Sequence, residues 1–222
     1  MGQVIACGYR KLTIILASKT IKRISDDAMA CIMGDIYVVE TADSDPRGIP
    51  WGKVLQISIC RVEEEGGFYD TAYSAAIQAD PLDLGKDSLD YISERYGINA
   101  ESLYIGIEER EAVARVRNVL VGRECVSFDV GEVFGRYLSF EPWDLTREVT
   151  LLPSISRFVP AQAKPLPDEK ADPLETAYKK ICPDDPAGTE GKKGAAERAQ
   201  MTASILSALM EAGMFRSEYL DR

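Results

Sequence analysis

The sequence predicts an α/β fold in which a mixed β-sheet, an antiparallel meander followed by parallel strands, is flanked by helices. Two observations indicate this fold. Three strand-like segments lie close together between residues 36 and 79, and the segments after residue 86 alternate between helical and strand-like patterns. Strands joined by short turns pair antiparallel, whereas strands separated by helices pair parallel. This order of segments therefore indicates a mixed sheet with helices packed on it.

The meander strands are defined by short runs of β-branched and aromatic residues. The run at residues 36–39 is followed by residues 43–48, where Asp, Pro and Gly indicate a loop. Residues 54–62 alternate between apolar and polar side chains from Leu55 onward, which predicts a strand with one solvated face. A glycine-containing turn then leads to a third strand at residues 68–79, which completes the antiparallel meander.

Helices and one strand follow the meander. Residues 87–96 and 108–121 predict helices, and each is followed by a glycine, the residue favoured just past a helix end. Residues 125–128 are typical of a short buried strand, and residues 130–138 predict a further helix that stops before Pro142.

The last part of the domain is predicted to hold two helices separated by polar loops. Residues 160–173 contain four prolines among charged residues, which indicates a loop or linker. Asp172 and Pro173 begin a helix that reaches about residue 182, because proline is favoured in the first helical turn. After a second polar loop, residues 195–212 carry small and apolar side chains along one stripe and predict the last helix.

Composition predicts a soluble, cytoplasmic protein with one sizeable core and no membrane contact. Of its 222 residues, 45% are hydrophobic, and no stretch approaches the roughly 18–20 apolar residues of a membrane span. The five cysteines lack metal-binding spacing, so reduced thiols are expected. We divide the chain into an N-terminal segment (1–34), a domain at residues 35–213 and a C-terminal tail (214–222).

The charge distribution limits how the protein could bind nucleic acid. The net charge of −10 argues against broad, nonspecific binding to a phosphate backbone, which depends on Lys and Arg releasing counterions. Residues 1–24 contain five basic residues and no acid, so this flank could contact nucleic acid or an acidic partner, or simply be solvated. The chain contains no histidine, which excludes imidazole as a general base or a metal ligand.

Four short motifs occur in a consistent order along the domain. They are Val-Val-Glu-Thr at residues 38–41, Gly-Ile-Asn-Ala-Glu at 97–101, Phe-Asp at 128–129 and Lys-Gly-Ala-Ala-Glu-Arg-Ala at 193–199. In order and spacing they resemble motifs of the DEDD family of proofreading-like 3′–5′ exonucleases. That family has the RNase H-like fold, with Asp-x-Glu-Thr on its first strand and His-x-Ala-x-x-Asp-Ala on its last helix.

The resemblance implies a metal-dependent chemistry for which this chain retains few residues. Such enzymes use two divalent ions, about 4 Å apart, to stabilise the attacking and leaving oxygens of a phosphodiester. Glu40 and Asp129 stand at two of the family's acidic positions and would be the catalytic and metal-binding residues of an active enzyme. Val38 stands at the first Asp position, Lys193 at the position of the base and Arg198 at the last Asp position.

Each of these polar residues also has a structural interpretation. Glu40 ends a strand, and Asp129 precedes a helix, where an acid acts as an N-cap. Lys193 and Arg198 are typical of solvated residues of a helix. In a different register, Glu132 could take the place of Asp129.

Three functions follow from these alternatives. The first is a degenerate exonuclease-like domain, associated with single-stranded nucleic acid through Lys193 and Arg198, which has lost or impaired hydrolysis and needs no metal cofactor. The second is an interaction module for a protein partner on the same fold. The third is an active 3′–5′ exonuclease that uses Mg²⁺ or Mn²⁺ and a rearranged acidic site.

Overall fold

The computed structural model describes residues 34–63, 67–166, 169–185 and 193–215. The predicted basic flank at residues 1–24 lies outside the described residues, as does most of the predicted C-terminal tail. Within the described ranges, no helix combines the length and the apolar character that crossing a membrane requires.

A mixed sheet forms the centre of the described fold. Strands β1 (Ile36–Asp43), β2 (Val54–Val62) and β3 (Tyr69–Ala76) form an antiparallel meander. Strand β4 (Glu124–Val126) pairs parallel to β1, and β5 (Thr150–Leu151) pairs parallel to β4, so the order is β3-β2-β1-β4-β5. The predicted α/β fold, with a meander followed by parallel strands and flanking helices, is therefore confirmed.

Every helix predicted from the sequence is present, and its bounds agree to within one residue. The helices are α1 (Lys86–Tyr96), α2 (Glu109–Leu120), a π-helix (Gly131–Leu138), α3 (Pro173–Ile181) and α4 (Ala195–Glu211).

Helices cover both faces of the sheet. Helices α3 and α4 share one core cluster with Val38 and Cys60, and α2 and the π-helix share another with Val39 and Ile59. Strand β1 is therefore buried along nearly its whole length, as expected for a strand covered on both faces. The prediction that β2 has one solvated face is wrong, because Ser58 and Cys60 are fully buried and Cys60 packs in the cluster that contains α4.

The topology brings three chain segments together at one edge of the sheet. Strands β1 and β4 are parallel, so Glu40 near the end of β1 lies close to Phe128, which follows β4. Side chains two residues apart on a strand share a face, so Val38 and Glu40 both point toward α4. Helix α4 presents Thr202 to this edge.

Candidate functional site

Glu40 is buried, and its carboxylate is held by two donors. Its Oε1 accepts hydrogen bonds from the backbone N–H of Phe128 at 2.8 Å and from the hydroxyl of Thr202 at 3.0 Å. The residue is only 2% exposed. Loss of hydration raises the pKa of Glu40 to about 7, although the positive charge of Arg198 and both hydrogen bonds act to lower it. Glu40 therefore exchanges its proton near neutral pH, unlike an exposed glutamate.

Arg198 lies one helical turn before Thr202 and forms an ion pair with Asp172. The Arg198 Nη1 atom is 2.9 Å from Asp172 Oδ2, and the two side chains are 8% and 20% exposed. The other oxygen of Asp172 caps α3, because Oδ1 accepts the backbone N–H groups of Leu174 and Glu175. Burial acts to raise the pKa of Asp172, but the Arg198 guanidinium and these contacts hold it below its usual range.

Arg95, near the end of α1, brings a second guanidinium to the site. Its Nη2 lies 3.7 Å from Glu132 Oε2, and its Nε donates to the hydroxyl of Tyr96 at 3.1 Å. The charge of Arg95 also lowers the pKa of Asp172, and its repulsion acts to lower the pKa of Arg198. Two cations from different helices therefore act on the same aspartate.

Asp43, at the end of β1, is engaged by side chains of α1. Its carboxylate accepts hydrogen bonds from the hydroxyls of Tyr96 at 2.9 Å and Tyr91 at 3.2 Å. Burial raises the pKa of Asp43, although these hydroxyls and the charge of Arg95 act in the opposite direction. Asp43 is therefore a further partly buried acid whose oxygens already have protein partners.

Asp129 caps the π-helix. Its side chain is exposed, and its Oδ1 accepts the backbone N–H groups of Gly131 at 2.8 Å and Glu132 at 3.3 Å. This is the N-cap geometry of the structural interpretation. Glu132, the acid of the alternative register, pairs with Arg95 and, at 3.4 Å, with Arg136.

The three residues that depart from the family motif are all buried. Val38 is fully buried in the apolar core, and Lys193, directly before α4, is 5% exposed. Arg198 is 7% exposed. The interpretation of Lys193 and Arg198 as solvated helix residues is therefore wrong.

These residues do not fit a pair of divalent ions. Mg²⁺ and Mn²⁺ need several carboxylate oxygens to replace their hydration shell, and Val38 supplies no ligand atom. Oxygen Oε1 of Glu40 already accepts two protein hydrogen bonds, and the charge of Arg198 would repel a cation. In the part of the chain that the structure describes, no three Asp, Glu, His or Cys side chains are grouped so as to hold a metal ion.

Neither Asp172 nor Arg95 is indicated as a site residue by the sequence. Asp172 precedes a proline, and this local pattern predicts only that a helix begins here, which the structure confirms. Its second oxygen meets Arg198, which is 26 residues further along the chain. Arg95 is one of many charged residues on the surface of a helix, and only the folded chain brings it close to Asp172.

The described fold is that of the RNase H-like 3′-exonucleases. No family model and no curated protein sequence matches the chain. Its structure is similar to Escherichia coli exonuclease I in complex with a dA16 oligonucleotide, with a TM-score of 0.55 and 13% identity over 84% of this chain and 43% of that chain. It is also similar to exonuclease I from Methylocaldum szegediense, with a TM-score of 0.58 and 13% identity over 85% and 43%.

A third similar structure is a 3′-exonuclease described in the 3′-end-specific recognition of a histone mRNA stem-loop. The TM-score is 0.56, and the identity is 10% over 82% of this chain and 84% of that chain. The present chain thus spans less than half the length of the exonuclease I chains, but most of the length of this third protein. At identities this low, the likeness establishes the exonuclease-like fold and not the activity.

Proposed function

We propose that this chain is a degenerate 3′–5′ exonuclease-like domain that binds single-stranded nucleic acid without hydrolysing it. One observation carries this proposal. Beside the buried Glu40, the acid that would hold a metal ion, the chain places its own cation, Arg198, paired with Asp172 at 2.9 Å.

The chemistry of the side chains supports a loss of hydrolysis. Phosphodiester cleavage in this fold class needs metal ions to generate hydroxide from water and to stabilise both reacting oxygens. A guanidinium remains protonated at any physiological pH, so neither Arg95 nor Arg198 can act as a general base. The absence of histidine removes the usual alternative base.

The proposed binding to a single strand is supported by the fold. Exonuclease I, which shares it, has been captured with oligonucleotides. A contact of the strand with Arg198 would require its ion pair with Asp172 to open. We therefore assign the buried Arg198 to its ion pair with Asp172 rather than to the strand, and we place the strand elsewhere on the domain.

A hydrolysis assay tests the proposal. The purified protein is incubated with end-labelled single-stranded DNA and RNA in excess Mn²⁺, with an active exonuclease as the positive control. We expect no shortening of either strand. Shortening by the wild type that disappears in the Glu40→Gln variant would contradict the proposal, whereas shortening that persists in the variant identifies a contaminating nuclease.

A protein-interaction module on the same fold is the second candidate, because large apolar side chains are exposed near one another. Leu82 and Ile105 are 88% and 74% exposed, and the short helical turns that carry Leu82 and Tyr104 contact each other. Failure of the wild-type protein to bind any single strand at low salt would favour this candidate. For either function we propose a cytoplasmic location, since Cys60, Cys125 and Cys182 are free thiols.

A further inference from the structure

A cavity of about 420 Å³ lies beside the candidate site, on the side of the sheet that α3 covers. Its walls are mainly apolar and include Val159, Pro165 and Pro173. Two cationic side chains, Arg157 and Lys164, also line it, and we call it the Arg157–Lys164 cavity. Its volume falls in the range of roughly 300–1,000 Å³ that is typical of small-ligand sites.

The charge of this cavity is opposite to that of the protein as a whole. Arg157 and Lys164 are both exposed, and no acidic residue among those that the structure describes lines the cavity with them. Within the described residues, neither cation forms an ion pair. On a chain with a net charge of −10, two cations that line one cavity and have no acidic partner among the described residues favour an anionic ligand.

Two contacts of the candidate site, the hydrogen bond of Glu40 and the ion pair of Arg198, also position the walls of the cavity. Phe128, whose backbone N–H binds Glu40, contributes to the lining. Pro173 is the first residue of α3, and it directly follows Asp172, which is fixed by Arg198. The buried ion pair therefore holds one wall of the cavity in place.

We propose that the Arg157–Lys164 cavity binds one nucleotide unit of a single strand, and this inference rests on the proposed function. The phosphate lies between Arg157 and Lys164, since both side chains bind phosphate through charge-assisted hydrogen bonds. The base packs against the apolar wall formed by Val159, Pro165 and Pro173. An acidic peptide would also pair with the two cations. The experiment must therefore distinguish binding of a peptide from binding of a nucleotide.

Fluorescence anisotropy with labelled single-stranded DNA and RNA, at low salt, tests this site on the full chain. The variant Arg157→Glu/Lys164→Glu is compared with the control variant Arg110→Glu/Arg147→Glu. The control changes the net charge equally at two exposed positions. Arg110 and Arg147 each lie two residues before a residue that belongs to or packs against the core cluster on the opposite face of the sheet, so they are away from the cavity. We expect the first variant to bind at least about tenfold more weakly than the control.

The outcomes separate this inference from the proposed function. If the wild type binds strands and the two variants bind equally, the nucleotide site is wrong while the binding function stands. If the wild type binds no strand, both fall. A labelled Glu-rich peptide is measured in parallel. Binding of this peptide that depends on Arg157 and Lys164, without binding of nucleic acid, would assign the cavity to a protein partner and overturn the inference.

Discussion

Burial of Glu40 costs free energy that its partners offset only in part. The charge of Arg198 and the hydrogen bonds from Phe128 and Thr202 favour the carboxylate, but removal from water outweighs them. The pKa of Glu40 therefore rises from its ordinary value of 4.5 to about 7. A residue that stands at a metal-ligand position in the family thus becomes a structural acid whose charge depends on pH.

We predict that the wild-type protein loses stability relative to the Glu40→Gln variant as the pH rises. The pKa of Glu40 is higher in the folded than in the unfolded state, so its contribution is complete below pH 4.5 and is lost as the pH rises through about 7. Between about pH 5.5 and pH 8, this loss is about 2 kcal/mol. Urea-induced unfolding of both proteins measures it.

The Gln variant serves as the control for all other titrating groups, because they are shared by both proteins. Gln keeps an acceptor oxygen for Phe128 and Thr202 but cannot ionise. Equal pH dependence of the two free energies of unfolding would show that Glu40 does not titrate in this window, and the structural role given to it here would be wrong.

The order of the motifs predicts part of the candidate site but not its electrostatics. It places Glu40 and Arg198 in the same region, and the charge of Arg198 does act on Glu40. It also suggests Asp129 as a ligand, whereas this side chain caps the π-helix. The contributions of Asp172 and Arg95 depend on contacts between distant segments, which no local pattern records.

At the scale of elements, the Arg198–Asp172 ion pair joins the first turn of α4 to the beginning of α3. We predict that Arg198→Met costs about 3 kcal/mol, because it leaves the Asp172 charge largely buried without its partner. Adding Asp172→Asn should recover much of this loss, since Asn keeps the N-cap and removes the charge. A double-mutant cycle based on urea unfolding measures the coupling.

An exposed ion pair on α3 provides the matched control. Lys179 and Glu175 are 3.8 Å apart at i, i+4, and the Lys179 side chain is 59% exposed. Lys179→Met should change the free energy of unfolding by less than about 0.5 kcal/mol. If the changes in the free energy of unfolding caused by the substitutions at Arg198 and Asp172 are additive, this ion pair does not hold the two helices together.

Elements with a long, local signal are predicted well, and those set by their neighbours are not. Helix α1 ends at Gly97, which has a left-handed φ of 72°, so its end is marked by a residue that adopts this conformation without strain. Strand β5 has two residues, too few to leave a pattern. The burial of Ser58 depends on the helix that covers β2, and the alternation within the strand cannot reveal it.

At the scale of the whole molecule, the candidate site is not a surface that attracts a phosphate backbone. Both guanidiniums of the site already pair with carboxylates, Arg95 with Glu132 and Arg198 with Asp172, and the chain carries ten more acidic than basic residues. A strand that approaches this edge of the sheet therefore meets guanidiniums that already have acidic partners. Among the described residues, the two exposed cations of the adjacent cavity are therefore better placed to attract a phosphate.

This distribution of charge predicts a weak dependence of strand binding on salt. Each phosphate neutralised on a single strand contributes about −0.7 to the slope of log K against log salt concentration, so the one phosphate held between Arg157 and Lys164 gives about −0.7. Anisotropy titrations of the full chain across a salt series measure the slope. The variant Arg157→Glu/Lys164→Glu should bring it close to zero. A much steeper wild-type slope that survives in this variant would place the strand on other cations and contradict the assignment to the cavity.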